Sequence, residues 1–264
     1  MIGILDPGVG GLTAARLIRD RLPEHHIRYF GDTARGPFGD KSPETIRRFA
    51  RSGARYLLDG GVRLLVLASG TLSAAAGEIL ARELPVPVID SVPAAANAAA
   101  AASRWGRIGV LATPAAVESG RFEREITNRR PTATVRAAAD PLLGPLADAG
   151  WVNRPETVRI VKKIIRPLKL AQLDTLILGS PRYRILAPLI ARKAGRRVRI
   201  VDTTESLVRA VHHYLDSHPE MDGRTDRSGR FDAIVSDRTD ATVLAARRYF
   251  GLNIDLAVGG PDHG

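Results

Sequence analysis

Two apolar runs in this 264-residue chain end in serine, Leu64-Leu65-Val66-Leu67-Ala68-Ser69 and Thr175-Leu176-Ile177-Leu178-Gly179-Ser180, and each leads straight into a candidate helix. Ligands of open α/β sheets bind outside the carboxyl ends of the strands, so these two corners are where reacting side chains are expected. A serine hydroxyl works as an acid, base or nucleophile only when a neighbouring base activates it. None of the six histidines, His25, His26, His212, His213, His218 and His263, stands beside either serine, so residue order gives no support to a Ser-His-Asp hydrolase. Most of them are expected on the surface. Serine is also a leading helix N-cap, and capping is as good a reading of both positions as ligand binding. The chain has no cysteine, which excludes disulfides and thiolate metal sites, and no His/Asp/Glu spacing resembles a metal site.

The elements that must position these hydroxyls alternate. Ile2 to Asp6, Ile27 to Phe30, Arg63 to Ala68, Val86 to Asp90, Arg107 to Ala112, Thr175 to Leu178 and Val198 to Val201 read as buried strands. Between the first two, Leu12, Ala15, Leu17, Ile18 and Leu22 form a helical stripe broken by Pro23, and Ser42-Pro43 caps a later helix. Such alternation implies an α/β fold with mainly parallel sheets flanked by helices. Ile2-Gly3-Ile4-Leu5 recurs as Ile108-Gly109-Val110-Leu111, and the run ending at Ser69 recurs as the run ending at Ser180, which points to two similar halves. Asp6-Pro7-Gly8-Val9-Gly10-Gly11 lacks the third glycine of a dinucleotide loop and the lysine of a Walker loop, so it reads as a tight strand-to-helix turn. Asp32-Thr33-Ala34-Arg35 reads as a structural turn, and His218 to Arg230 as a polar loop before a last strand and helix.

Several segments, taken in order, resemble the glutamate racemases of the aspartate/glutamate racemase superfamily. They are Ile2 to Thr13, Tyr29-Phe30-Gly31-Asp32-Thr33-Ala34-Arg35, Gly39-Asp40-Lys41-Ser42-Pro43-Glu44-Thr45, Gly109-Val110-Leu111-Ala112-Thr113-Pro114-Ala115 and Leu176-Ile177-Leu178-Gly179. The resemblance implies two pseudo-symmetric lobes, residues 1–92 plus 205–264 and residues 93–204, with the ligand cleft between them. It also implies a cofactor-independent reaction in which two cysteines exchange a substrate α-proton from opposite faces. This chain has Ser69 and Ser180 at those two positions, with Asp6 beside them. A thiol has a reference pKa of about 8.5 and suits both roles, whereas each unit of mismatch costs about 1.4 kcal/mol. The serines are therefore expected not to racemise glutamate well. The pocket's other residues carried over by the resemblance are Pro7, Phe38, Gly39, Gly70, Thr71, Thr113, Pro181 and Arg182. Of these, Pro7, Phe38, Gly70, Pro181 and Arg182 depart from the family pattern, while Arg182 offers a planar fork for a carboxylate or phosphate.

The net charge is +11, with basic clusters at Arg121, Arg124, Arg129 and Arg130, at Lys162, Lys163, Arg166 and Lys169, and at Arg192, Lys193, Arg196, Arg197 and Arg199. Such patches attract nucleic acid or an acidic protein surface, although no nucleic-acid-binding motif is present and a solvated arginine-rich surface is the plainer reading. No apolar run approaches the twenty residues that span a bilayer, and the first residues lack a basic signal-peptide region, so a cytoplasmic protein is expected. Three readings follow: a racemase-fold protein that binds a small carboxylate or other anion without racemising it, a weak or unusual glutamate racemase supplying D-glutamate for peptidoglycan, and a basic-surface interaction protein. The resemblance adds a homodimer and leaves DNA gyrase open as a partner. Neither metal nor cofactor is expected.

Overall fold

Each buried apolar run becomes the strand of a strand-helix unit, and the units assemble into two wholly parallel sheets. The computed structural model describes residues 1–223, 225–251 and 254–261, so His263 lies outside the described residues. The chain opens with β1 (Ile2–Asp6), α1 (Leu12–Arg21), β2 (Ile27–Gly31), α2 (Pro43–Asp59), β3 (Leu64–Leu67), α3 (Gly70–Glu83), β4 (Val88–Asp90) and α4 (Ser91–Ala102). It continues with β5 (Arg107–Ala112), α5 (Pro114–Glu118), α6 (Arg121–Arg129), β6 (Thr134–Ala139), α7 (Leu143–Asp148), α8 (Pro155–Leu170), β7 (Thr175–Leu178), a 3₁₀ helix over Pro181–Leu186, α9 (Ala187–Ala194) and β8 (Arg199–Asp202). It closes with α10 (Thr203–Ser217), α11 (Pro219–Asp222), β9 (Phe231–Val235), α12 (Asp240–Phe250) and β10 (Ala257–Val258).

The first sheet has the order β10-β9-β2-β1-β3-β4 and the second β6-β5-β7-β8. The second sheet thus repeats the β2-β1-β3-β4 part of the first, and the recurring Ile-Gly-Ile/Val-Leu segments are its central strands β1 and β5. In each sheet the chain leaves the central strand to one side and then returns to the other, which puts a topological switch point at the carboxyl ends of β1 and β5. Apolar clusters cover both faces of each sheet, under α1, α10 and α12 and under α2 and α3 in the first, and under α4 and α6 and under α8 and α9 in the second. No described helix is long and apolar enough to cross a membrane.

Local chemistry sets the boundaries. Ser42 Oγ accepts from the Thr45 N–H at 3.3 Å, and Pro43 opens α2. One strand was not anticipated and one sequence expectation is corrected. The edge strand β6, Thr-Val-Arg-Ala-Ala-Ala, buries only Val135 fully and lacks a strand-like apolar run. The stretch from His218 to Arg230 is not loop throughout, because it contains α11.

His212 and His213 are exposed as expected, but His25 and His26 are buried at the amino-terminal end of β2, opposite the strand ends that carry the site. His25 Nε2 lies 2.7 Å from Asp222, while the two ring nitrogens of His26 each lie 2.9 Å from a carboxylate, Asp226 on one side and Asp232 on the other. These contacts tie the segment after α10 back to the first sheet. Hydrogen bonding from His26 holds the Asp226 carboxyl below its ordinary pKa. Burial works to raise Asp232, but bonds from His26 and Arg28 outweigh it and hold that carboxyl low as well. Carboxylates depressed in the folded state contribute stability above their unfolded pKa, about 3.9, and lose it as pH falls through the folded value. The thermal midpoint is therefore expected to fall steeply below about pH 4. An Asp232→Asn variant should be less stable at pH 7 and show a shallower acid slope; identical slopes in differential scanning calorimetry would remove the cluster from the acid response.

Candidate active site

The two serines occupy equivalent places, immediately after β3 and β7, yet they are used differently. Ser69 is extended and caps α3, its Oγ accepting from the Leu72 N–H at 3.4 Å. Ser180 opens only the short 3₁₀ helix and makes no capping bond. Both are buried. Among the described residues neither hydroxyl has a histidine or carboxylate hydrogen-bond partner.

Asp6, at the end of β1, is committed to its own turn. Its Oδ2 accepts from the backbone N–H groups of Gly8 and Gly11 at 3.2 and 3.1 Å and from the Tyr29 hydroxyl at 3.1 Å. Burial pushes the Asp6 carboxyl above its ordinary pKa, and the Gly11 N–H and nearby Arg182 only partly oppose that. Burial, then the charge of Asp6, pushes the Tyr29 phenol well up in turn. The expected tight strand-to-helix turn is present, and Tyr29, which the sequence did not single out as a site residue, is its buttress. Asp32 and Arg35 form the expected structural turn, with Arg35 Nε 2.8 Å from Asp32 Oδ2, and Thr33 Oγ1 donates to the Asp237 carbonyl at 2.6 Å.

The sheets meet directly. Thr71 Oγ1 and Thr113 Oγ1 are 2.7 Å apart, and the Ala115 N–H donates to the Gly39 carbonyl at 3.0 Å. Gly70 stands so close to the end of β7 that a Cβ there would lie 2.0 Å from the Gly179 carbonyl oxygen. Arg182 reaches from the 3₁₀ helix across Gly10 and Gly144 and donates from Nη1 to Asp148 Oδ2 at 3.0 Å. From α12 in the other sheet, the Tyr249 hydroxyl donates to Asp148 Oδ1 at 2.6 Å, and Arg248 bonds the Asp148 carbonyl. Burial and the Asp148 carboxylate push the Tyr249 phenol far up. Nothing in the sequence marked Asp148 or Tyr249, because they are brought together from residues a hundred positions apart.

Two cavities open at these strand ends. A narrow one of about 190 Å³ is lined by Gly39, Asp40, Thr113, Asp140, Ser180, Arg182 and Tyr183 among others. A wider one of about 380 Å³ is lined by Pro7, Gly8, Thr33, Asp148, Arg182 and Thr242 among others, and Arg182 forms a wall of both. Of the residues expected at the site, Gly39, Thr113, Ser180 and Arg182 thus share one cavity, and Pro7 reaches the other. Asp6, Ser69, Gly70, Thr71 and Pro181 are buried beside them and line neither. Phe38 departs furthest from its expected place, packing into the core under α2 with its ring 5.6 Å from that of Phe49. The small, mostly apolar cavity, with Arg182 as its one cation beside Asp40 and Asp140, can hold a compact ligand and present a hydroxyl to it.

Paired parallel half-sheets with the site at facing strand ends define an α/β protein of the two-lobed racemase class. The family profile for Asp/Glu/Hydantoin racemase matches residues 13–211. A glutamate racemase of Neisseria gonorrhoeae is 40% identical over 256 residues, covering 96% of this chain and 94% of its own length, and one of Geobacter metallireducens is 36% identical over 250 residues, covering 95% and 92%. Among solved structures, a glutamate racemase isoform from Bacillus anthracis superposes with a TM-score of 0.91 at 28% identity, covering 98% of this chain and 97% of its own. The glutamate racemase of Francisella tularensis in complex with D-glutamate gives 0.91 at 26%, with 99% and 97% covered. The chain belongs to the Asp/Glu/Hydantoin racemase family.

A methyl group at position 70 tests the direct contact between the sheets. Gly70→Ala must push α3 away from the Gly179 carbonyl, and overpacking of this kind costs about 1–3 kcal/mol. For a chain of this size the thermal midpoint should drop by roughly 3–10 °C. An unchanged midpoint would mean that the sheets separate at no cost.

Proposed function

We propose that this chain is a glutamate-racemase-type protein that holds a small amino-acid carboxylate beside Ser180 in the narrow cavity between the lobes and inverts it slowly, because hydroxyls stand at both acid/base positions and that of Ser69 is buried outside the cavity wall. The observation that carries this reading is the equivalence of Ser69 and Ser180, one after β3 and one after β7, at matching corners of two matching sheets. The lobes are residues 1–92 plus 205–264 and residues 93–204, and the reaction takes a proton from one face of the α-carbon and returns one to the other. Thr113 and Gly39 hold the ligand's polar groups beside Ser180, and Arg182 supplies positive charge. Each positioned acid or base contributes on the order of 10²–10⁴ in rate, so replacing two thiols by unassisted hydroxyls removes most of the acceleration. The names carried by its relatives favour a racemase over a pure binder. The purely binding reading rests on one observation, that the Ser69 hydroxyl is already occupied by the Leu72 N–H. By the same resemblance the protein works as a cytoplasmic homodimer without a cofactor, and its product feeds D-glutamate into peptidoglycan.

The deciding measurement follows the α-protons of L- and D-glutamate by NMR in deuterium oxide with concentrated protein. Ligand shifts with exchange several orders of magnitude below that of a cysteine-bearing relative are expected. Exchange at the relative's rate would overturn the hydroxyl argument, and neither shifts nor exchange would overturn the choice of ligand. The Ser69→Cys/Ser180→Cys double variant should regain only part of the rate, since Gly70, Pro181 and the Asp148-paired Arg182 remain; full recovery would show that those residues are compatible with fast turnover.

A further inference from the structure

The positive charge is concentrated in one stretch. Residues 155–200 contain twelve lysines and arginines against two acids, Glu156 and Asp174, and so account for ten of the eleven net charges. They also hold four of the five lysines. The other basic cluster of the sequence is spent on internal partners. Arg121 is buried against Asp90, Arg124 pairs with Glu78 at 2.9 Å, Arg129 with Glu125 at 2.5 Å, and Arg130 donates to the carbonyls of Ala100 and Ser103.

On α8 and α9 the cations are free. The two helices pack side by side on one face of the second sheet, burying Val161, Ile165 and Leu168 from α8 and Leu189 and Ile190 from α9 in a common apolar cluster. With those positions turned inward, Arg159, Lys162, Lys163, Arg166 and Lys169 are exposed along α8. Arg192 at the end of α9, with Arg196, Arg197 and Arg199 beyond it, extends the same charge toward the edge strand β8. Among the described residues none of these nine makes a salt bridge or side-chain hydrogen bond, whereas Arg182 and Arg184 of the same stretch do.

The geometry suits a polyanion with regularly spaced charge. Side chains three and four positions apart on a helix are about 5–6 Å from each other, so the α8 cations form one stripe. From Arg159 to Lys169 the stripe covers about 15 Å of helix axis, a length over which duplex DNA presents roughly nine phosphates. Neither helix has an aromatic residue, and the exposed Trp151 ahead of α8 is covered by the Arg154 guanidinium, so the cation stripe itself carries no platform for stacking the bases of a single strand. The apolar side of α8 is turned to the sheet, apart from Leu170 at its last position, so the helix has no face to bury in a bilayer. The convex helix surface fits the open grooves of B-form DNA better than the deep, narrow major groove of A-form RNA. We propose that the α8–α9 face is a sequence-independent docking surface for the phosphate backbone of double-stranded DNA.

Fluorescence anisotropy with a labelled 20-base-pair DNA duplex, titrated with the full chain from low to moderate salt, tests this. Five backbone contacts predict a slope of log K against log salt of about −4 to −5. The Lys162→Glu/Lys163→Glu/Arg166→Glu variant should bind at least tenfold more weakly with a slope flatter by about 3. Arg48→Glu/Arg55→Glu/Arg63→Glu makes the same charge change at exposed positions elsewhere and should stay within threefold of the parent. Should the first variant fail to fold by circular dichroism, Lys162→Gln/Lys163→Gln gives the same reading with a slope flatter by about 2. Absence of salt-dependent binding, equal losses in the two triple variants, tighter binding to an RNA duplex, or retention on anionic phospholipid vesicles without duplex binding would each overturn the proposal.

Discussion

The carbonyl oxygen of Gly179 lies where any side chain at position 70 would have to stand, and that contact sets the separation of the two sheets. A glycine at 70 lets the start of α3 meet the end of β7 backbone to backbone. The neighbouring hydroxyls of Thr71 and Thr113 can then pair across the junction. The same close approach recurs about two turns further along the same face of α3, at Gly77, where a Cβ would collide with the Arg121 guanidinium. Arg121 enters there from the second sheet, bonds the Ser73 carbonyl and pairs with Asp90 at 2.7 Å. A guanidinium and carboxylate this deeply buried are costly to desolvate, and a single partner left behind would be far worse than the pair. Burial accordingly pushes Asp90 above its ordinary pKa even with Arg121 beside it. The ion pair thus adds a geometric requirement to the steric one: the sheets are held where both groups are satisfied.

Asp148 closes the opposite edge. It accepts from Arg182 of its own sheet and from Tyr249 of the other, while its carbonyl accepts from Arg248. Arg182 is therefore not an unoccupied anion clamp, as its place in the sequence suggested. Yet a guanidinium has five N–H donors and only one of them is bonded to Asp148, so the rest of the fork remains available at the wall between the two cavities. Closure of the lobes and the wall between the two cavities consequently meet in one residue.

The fold was legible because its signals are local. Apolar runs of four to six residues bounded by helix caps marked seven of the ten strands among the described residues, and the recurrence of the first and third of them anticipated the matching strand order of the two sheets. The edge strand β6 escaped because a sheet margin buries little and tolerates alanine and arginine. Site residues were legible where they follow strands, as Thr113 and Ser180 do. Tyr29, Asp148 and Tyr249 were not, since their roles depend on approach across the sheets. Phe38 shows the converse: adjacency to Gly39 in sequence suggested the ligand, but the pocket under α2 offered an aromatic partner and the ring went there. The basic clusters looked alike in composition, and only packing separated the arginines bonded to carbonyls and carboxylates on α6 from the free cations on α8.

Pseudo-symmetry does not make the two serines chemically equivalent. Residue 69 sits at the amino end of a 14-residue helix, where unpaired N–H groups and the helix dipole favour negative charge. Such a position lowers the pKa of a thiol into the working range, but a hydroxyl starts too far away for the same field to make it a base, and here it serves as a cap. Ser180 has only a short 3₁₀ segment behind it and no bond to cap, so it is the hydroxyl that faces the narrow cavity. The scaffold therefore supplies electrostatic assistance at one corner and access at the other. A two-faced proton transfer needs both at each corner, and neither corner of this scaffold combines them.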